Sequence, residues 1–356
     1  MNPKRLFVIV PSLLPEGPVK GAVALCNGIV QSLPTTLVFL KTARGDGVHI
    51  DNRVDVLNLS SQSSWWGKVS GLRAAIRQAG KPHEVATISY CLSADAVNYF
   101  MKGYAQIVSS VRGNLPRNYS YDYGPLGNIA AWLHLLALHR FDRIVAMSKS
   151  MESQLRRYGH ARVDRIGNFV DENELETHRT VFPKDTGPVK FIFLASLSRR
   201  KRPELVISAA EKLLDLGLNF HIDIIGSGPL EQELHNMVSR LDLESNVTFH
   251  GQLARPYLKL QESHYLILPS DSEGIPRAGL EALYFGIPCI LRDIDANKEF
   301  IVQGKNGFLF RDDNDVPDVM AEAISCVRNY YSKVNLLPDQ YRQSTNVENY
   351  LKIIQA

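Results

Sequence analysis

Short apolar runs alternate with stretches of helical period along the first half of the chain. An apolar run bounded by turn residues is typical of a buried strand, and apolar positions three or four apart are typical of a helix. This pattern predicts a first helix at residues 19–33 and strands at residues 5–10, 36–40, 54–59, 85–90, 106–111 and 143–146. Such alternation indicates a parallel sheet with helices on its faces.

The second half repeats this alternation after a polar interval. Strands are predicted at residues 189–196, 220–225, 247–250, 265–268 and 288–291, and helices at 203–216, 230–241, from Arg277 onwards and at 317–328. Residues 171–188 contain Pro183, Gly187 and Pro188 without an apolar period, and we predict a linker there. The expected fold is therefore α/β, with two Rossmann-like, doubly wound domains at residues 1–170 and 189–336. Residues 337–356 are expected to pack back on a domain, and the first domain is one candidate.

Composition excludes several classes of protein. The chain has 356 residues, of which 45% are apolar, enough for two buried cores. Its formal charge of +3, from 40 basic and 37 acidic residues, argues against a general nucleic-acid-binding protein. No apolar run is long enough to span a bilayer, and Pro11 interrupts the start that imitates a signal peptide, so we expect a cytoplasmic protein. The cysteines lie far apart and are expected to be reduced: Cys26, Cys91, Cys289 and Cys326.

Two glutamates eight positions apart, Glu273 and Glu281, follow the strand predicted at residues 265–268. Pro276 favours a helix that begins near Arg277, and the unpaired amides at such a helix start attract phosphate. Both carboxylates can accept hydrogen bonds from hydroxyls of the molecule that carries the phosphate. The residues expected to hold it are Gly274, Ile275, Pro276, Arg277 and Ala278. A helix with an acidic first turn and a solvated glutamate is the alternative interpretation.

Two further loops follow predicted strands of the second half. The basic run at residues 199–202 precedes Pro203, and Lys201, with Arg200, is the preferred contact for a diphosphate. Gly226 begins a Gly-Ser-Gly-Pro turn at the position of a dinucleotide fingerprint, but Glu231 occupies its sixth place. That carboxylate argues against a nicotinamide cofactor, whereas the turn can flank a mononucleotide or be purely structural.

The first half offers weaker signals. Arg112 ends the strand at 106–111, where it can hold a sugar or stabilise a leaving phosphate, or form a structural salt bridge. His134 and His139 lie on an apolar stretch without metal-ligand spacing and are interpreted as ordinary helix residues. Trp65 and Trp66 begin a basic amphipathic stretch, residues 65–77, that can rest on anionic lipid, although core packing of the tryptophans is the favoured interpretation.

Together these residues resemble a retaining glycosyltransferase of the GT-B fold, family 4. The resemblance covers nearly the whole chain. Its most specific part is the E-x7-E signature of the two glutamates with the segment after it, at residues 269–274, 280–283, 286–288 and 306–308. The supporting matches are residues 145–148, 166–171, 225–229 and 247–251. Two positions depart from the family pattern: Ser196 replaces the arginine of a G-R-L motif, so that Arg199 or Arg200 would take its place, and Glu16-Gly17 replaces a glycine pair.

The resemblance implies two domains that face each other across a cleft, an acceptor-side first domain and a second domain that binds a nucleotide sugar. It assigns the ribose to Glu281, the transferred sugar to Glu273, the diphosphate to Lys201, and contacts with the donor to Arg112 and Gly17. It further implies a glycan or lipid-linked acceptor, no metal or cofactor, and contact with the inner face of the cytoplasmic membrane as one interpretation. A non-catalytic nucleotide-sugar-binding subunit and a GT-B epimerase are the alternatives, and the donor base and sugar are not readable.

Overall fold

The computed structural model describes residues 3–14, 16–42, 48–180, 187–327 and 334–355. The chain divides into two compact units: Met1–Glu172 with Asp339–Ala356, and Asn173–Pro338. The range predicted as a linker, residues 171–188, begins with a helix, and its residues 181–186 lie outside the described ones. Each unit is built on one parallel sheet.

The first unit has seven strands in the order β3-β2-β1-β4-β5-β6-β7. The strands are β1 (Arg5–Val10), β2 (Thr35–Phe39), β3 (Asp55–Asn58), β4 (Val85–Tyr90), β5 (Gln106–Val111), β6 (Arg143–Ala146) and β7 (Val163–Arg165). The helices are α1 (Gly17–Ile29), α2 (Trp65–Ala79), α3 (Leu92–Tyr99), α4 (Leu115–Tyr123), α5 (Pro125–Leu138) and α6 (Lys149–Arg157). Strand β7 is an addition to the predicted set.

The second unit has six strands in the order β10-β9-β8-β11-β12-β13. They are β8 (Val189–Leu194), β9 (Phe220–Ile225), β10 (Val247–Phe249), β11 (Tyr265–Leu268), β12 (Cys289–Arg292) and β13 (Gly307–Phe310). The helices are α7 (Glu172–Thr177) at the unit boundary, α8 (Pro203–Asp215), α9 (Glu231–Arg240), α10 (Tyr257–Glu262), α11 (Arg277–Tyr284), α12 (Asp295–Lys298) and α13 (Val316–Cys326). The prediction of two parallel, Rossmann-like sheets is confirmed.

The last helix, α14 (Gln343–Gln355), belongs to the first unit. It joins α1 over one apolar core, in which Tyr350 and Ile354 lie on residues of β1 and β4 such as Ile88. The other face of the same sheet is polar at its centre. There Ser89 of β4 and Ser109 of β5 donate hydrogen bonds to buried Asp95 of α3.

The strand order determines where a ligand can bind. In an open parallel sheet, ligands bind beyond the carboxyl ends of the strands where the order reverses. In the second unit this point lies between β8 and β11. The loops that follow these two strands contain Lys201 and Glu273.

Candidate functional site

The loops after β8 and β11 meet in a buried ion pair. Lys201 ends a 3₁₀ turn, Arg199–Lys201, and its ammonium donates a hydrogen bond to Glu273 Oε1. The two side chains are only 14% and 8% exposed. Parallel strands end at the same edge of a sheet, and this is why residues 72 positions apart come together.

Arg200 reinforces this contact between the loops. Its Nη1 donates to the carbonyl of Ser272 at 2.8 Å and lies 3.7 Å from Glu273 Oε2. The amide of Asp271 donates in return to the carbonyl of Arg200 at 3.0 Å. The loop that carries Glu273 is therefore held in place by both main-chain and side-chain contacts.

Burial and the neighbouring charges shift the pKa of both Glu273 and Lys201. Burial favours the neutral carboxyl of Glu273, but the charges of Lys201 and Arg200 outweigh it and hold the pKa of Glu273 below its usual value. Burial lowers the pKa of the Lys201 ammonium, against the attraction of Glu273. Two basic side chains thus face one carboxylate, an arrangement that favours the binding of an anion.

A second charged network supports the same loops. Arg202, which adopts a left-handed backbone conformation with φ of 53°, donates to Asp313 at 2.7 Å and to Asp271 at 3.3 Å. Arg292 donates to the other oxygen of Asp313 at 2.6 Å and to the carbonyl of Pro269 at 3.1 Å. Sequence reasoning missed this network, because its members come from four separate segments.

Helix α11 begins at Arg277, as predicted, with Pro276 at the N-cap position. Pro276 caps no amide with its side chain. The amides of Gly279 and Leu280 donate to the carbonyl of Pro276 at 3.1 and 3.3 Å, and the amide of Ala278 precedes these first intrahelical bonds. Gly274 and Ile275 are buried in the loop before the helix.

Glu281 lies one turn further along α11 and is buried. Its Oε1 accepts a hydrogen bond from Arg277 Nε at 2.9 Å, and the two side chains are 4% and 6% exposed. Arg277, predicted to bind the donor, therefore contacts the carboxylate predicted to bind the ribose. A solvated glutamate, the alternative interpretation of Glu281, does not fit this burial.

Gly226 lies where two loops approach closely. It has φ of 146°, and a Cβ there would lie 1.9 Å from the carbonyl oxygen of Ala195. Its amide donates to the carbonyl of Gly251 at 2.8 Å. The close approach to Ala195, which a Cβ would prevent, gives this glycine a structural reason at the carboxyl end of β9.

Arg199 and Arg200, which were named as replacements for the arginine absent at position 196, differ in their contacts. Ser196 is exposed, with its hydroxyl 3.3 Å from that of Ser198. Arg199 is also exposed, whereas Arg200 contacts the loop of Glu273. Of the two arginines, Arg200 is the one beside the ion pair.

Arg112 belongs to the first unit. Its Nη2 donates to Asn168 Oδ1 at 2.6 Å, and its guanidinium lies 5.1 Å from the centre of the Tyr90 ring. Gly21 of α1 makes room for it, since a Cβ there would lie 2.7 Å from Arg112 Nη2. Gly17 begins α1 with open space around it, so that crowding does not require a glycine.

His134, interpreted from the sequence as an ordinary helix residue, is part of a buried hydrogen-bonded chain. Its Nε2 lies 2.8 Å from Asp95 Oδ2, and its Nδ1 lies 2.8 Å from the hydroxyl of Tyr119. Asp95 and His134 are 3% and 5% exposed. This chain connects α3, α4 and α5 of the first unit, and no local sequence spacing indicates it.

The described residues, 3–14, 16–42, 48–180, 187–327 and 334–355, contain neither a metal-binding cluster nor a membrane-spanning helix. In these ranges no group of three or more His, Cys, Asp and Glu side chains is arranged to hold a metal ion. No described helix is both long and apolar enough to cross a membrane.

Most of the second unit matches a known protein family. Residues 175–331 match the family model described as glycosyl transferases group 1. The chain is 31% identical over 182 residues to the putative colanic acid biosynthesis glycosyltransferase WcaL of Salmonella typhimurium, a match that covers 49% of this chain and 42% of WcaL. The chain thus spans less than half the length of the curated relatives that it matches first.

Two solved structures share the fold over nearly the whole chain. Sucrose-phosphate synthase from Thermosynechococcus elongatus superposes with a TM-score of 0.72 at 13% identity, covering 99% of this chain and 95% of that one. Anabaena HepE in complex with UDP and glucose gives a TM-score of 0.69 at 15% identity, with the same coverage. At such identities the likeness concerns the fold alone. Residues 175–331 therefore form a glycosyl transferases group 1 domain, in a chain with the two Rossmann-like domains of the GT-B fold.

Proposed function

We propose that this chain is a retaining glycosyltransferase that moves a sugar from a nucleotide diphosphate sugar to a glycan or lipid-linked acceptor in surface polysaccharide synthesis. The observation that carries the proposal is the buried pair of Lys201 and Glu273, with Arg200 beside it, at the switch point of a group 1 domain. Its excess positive charge suits a diphosphate. The name of WcaL and the UDP and glucose bound to HepE support the class of reaction and donor.

In the proposed reaction the diphosphate is the leaving group. Lys201 and the first-turn amides of α11 hold its oxygens, so that the negative charge that develops as the sugar–phosphate bond breaks is stabilised by donors already in place. The acceptor hydroxyl forms the new bond from the face that the diphosphate leaves, and its proton passes to the departing phosphate oxygen. This order retains the configuration of the sugar. Glu273 binds hydroxyls of the transferred sugar, and Glu281 those of the ribose.

The test is a panel of labelled UDP- and GDP-sugars, with nucleotide release measured with and without glycan acceptors. We expect release that increases with acceptor. Affinity without release would indicate a binding subunit, and conversion of the donor without an acceptor would indicate an epimerase. Absence of binding to every member of the panel would refute the assignment of the site.

Glu281→Gln provides the matched test of the donor site. Loss of hydrogen bonds from a charged acceptor is expected to weaken donor binding about tenfold to a hundredfold. Glu211→Gln, on the exposed side of α8, is the control and should bind the donor as the wild type does. Equal donor affinity in both variants would remove Glu281 from the site.

We propose that the reaction needs no metal ion, because basic side chains and amides are available for the phosphate charge. Turnover should therefore continue in excess EDTA, and a strict requirement for a divalent ion would contradict this mechanism. The role of Arg112 in binding the donor sugar stays a prediction, which Arg112→Gln tests through the KM for the donor. A cytoplasmic location is part of the same proposal.

A further inference from the structure

A cavity of about 650 Å³ lies at the edge of the first sheet where its strands begin. The residues around it precede or begin β4, β5, β6 and β7, which are neighbours in the sheet and, being parallel, begin at the same edge. The polar residues that line this cavity, here called the amino-edge cavity, are His83, Lys102, Gln106, Asp142, Arg143 and Arg162.

The amino-edge cavity is separate from the residues that were assigned to the reaction in the first unit. Arg112 directly follows β5, whereas Gln106 is the first residue of that strand. A strand of six residues is about 20 Å long, so the cavity and Arg112 lie at opposite ends of β5. The glycosyl transfer proposed above therefore gives no reason for this cavity.

Hydrogen bonds hold the lining of the cavity in place. The carboxylate of Asp142 accepts from the ammonium of Lys102 and, at 2.9 Å, from the amide of Ile107. Gln106 Nε2 donates to the carbonyl of Ile353 in α14 at 3.3 Å. The cavity is thus formed in advance, which reduces the entropy that a ligand would lose on binding there.

The lining has a surplus of positive charge. With histidine counted as neutral, Lys102, Arg143 and Arg162 contribute three positive charges and Asp142 one negative charge, a net charge of +2. Asp164 of β7 accepts from Nη1 of Arg143 at 3.3 Å, and a guanidinium has further N–H donors. Arg162 is exposed, and among the residues that the structure describes no carboxylate is paired with it.

We propose that the amino-edge cavity binds a small phosphomonoester that carries hydroxyl groups, a sugar phosphate or a nucleoside monophosphate. A phosphomonoester has a charge of about −1.5 to −2 at pH 7, which matches the surplus of the lining. Arginine forms paired hydrogen bonds with phosphate oxygens, and Arg143 and Arg162 offer two guanidinium groups. Gln106, His83 and Asp142 can bind the hydroxyls.

The size and shape of the cavity favour a small molecule. Its volume lies within the range of about 300–1,000 Å³ that is typical of small-molecule sites. A nucleic acid would instead need an extended basic surface, and the net charge of the chain is only +3. The inference does not depend on the function proposed for the second unit.

The experiment is isothermal titration calorimetry of the full chain with glucose 1-phosphate, UMP and inorganic phosphate. Arg162→Gln should weaken binding of the esters about tenfold or more, because charge-assisted hydrogen bonds are lost. Arg157→Gln, at an exposed arginine of α6 in the same unit, is the matched control and should bind like the wild type. Asp142→Asn removes the acidic charge of the lining and should tighten binding about fivefold.

The three probes identify the ligand. Tighter binding of glucose 1-phosphate indicates a sugar phosphate, and tighter binding of UMP indicates a nucleotide. Both esters should bind more tightly than inorganic phosphate, since their hydroxyls add hydrogen bonds. Equal affinity for all three, or binding of none, would overturn the proposal.

Hydrogen exchange locates the bound ester. It should slow exchange in peptides that cover residues 81–86, 102–108 and 142–146. Protection confined to residues 269–284 would place the ester at the proposed donor site and overturn this inference alone. Circular dichroism melting establishes that each variant is folded. Equal affinity in the two arginine variants, or weaker binding by a folded Asp142→Asn, would also overturn it.

Discussion

Removal of one partner of the Lys201–Glu273 pair should destabilise the second unit by several kcal/mol. In Lys201→Met, Arg200 at 3.7 Å is the basic side chain that remains paired with Glu273 among the residues that the structure describes. Breaking a buried pair costs about 3–5 kcal/mol, and because Arg200 remains we expect a loss near the lower end, about 3 kcal/mol. The double variant Lys201→Met/Glu273→Gln removes both charges and should be more stable than the sum of the two single changes predicts, by about 2 kcal/mol.

The assay must report on the second unit. All three tryptophans, at positions 65, 66 and 132, lie in the first unit, so their fluorescence does not follow this change. Hydrogen exchange of peptides from β11 and α11 measures the local free energy of opening. Lys212→Met, at an exposed lysine of α8, is the control and should change it by less than about 0.5 kcal/mol. Additive single changes, or wild-type exchange in Lys201→Met, would refute the reasoning.

Three further predictions concern stability. The pKa of Glu273 is lowered in the folded chain, so the ionised carboxylate contributes its full stabilisation above the usual pKa of 4.5 and loses it as the pH falls through the folded-state pKa. In Glu273→Gln the free energy of unfolding should therefore decrease less at acid pH than in the wild type, as measured by denaturation followed by circular dichroism. Gly226→Ala should cost about 3 kcal/mol or more, whereas Gly217→Ala, also at positive φ but in open space, should cost about 1–2 kcal/mol in the same measurement. His134→Ala leaves Asp95 short of one partner and should cost about 1–3 kcal/mol, measured by tryptophan fluorescence in urea; an unchanged midpoint would contradict the importance of that buried chain.

Much of the fold is predictable because parallel strands are buried on both faces and read as continuous apolar runs. Strands β1, β4, β5, β6, β9 and β11 begin and end at the predicted residues. Two strands were missed, since β7 (Val163–Arg165) has one apolar residue and β13 (Gly307–Phe310) begins with glycine. That glycine is needed for packing, because a Cβ would lie 2.2 Å from the carbonyl oxygen of Cys289.

Some contacts of the candidate site were also predictable from the sequence, and others were not. The proximity of Lys201 and Glu273 follows from strand order, because loops after neighbouring parallel strands meet at one edge. The pairing of Arg277 with Glu281 was open to prediction from their spacing of four on a helix. The contact between Arg202 and Asp313 was not, because it depends on side-chain directions that local pattern does not encode.

The return of α14 to the first unit has a consequence for biosynthesis. Tyr350 of this helix lies 3.5 Å, hydroxyl to hydroxyl, from Tyr90, a residue 260 positions earlier. The first unit is interrupted at Glu172 and is completed by α14, which begins at Gln343. At translation rates of about 5–20 residues per second, a ribosome needs roughly ten to thirty seconds to pass from the one to the other. During this interval the nascent chain exposes the groove on α1 that α14 will fill. A holding chaperone would have its natural binding site there, and premature termination before α14 would leave a polypeptide prone to aggregation.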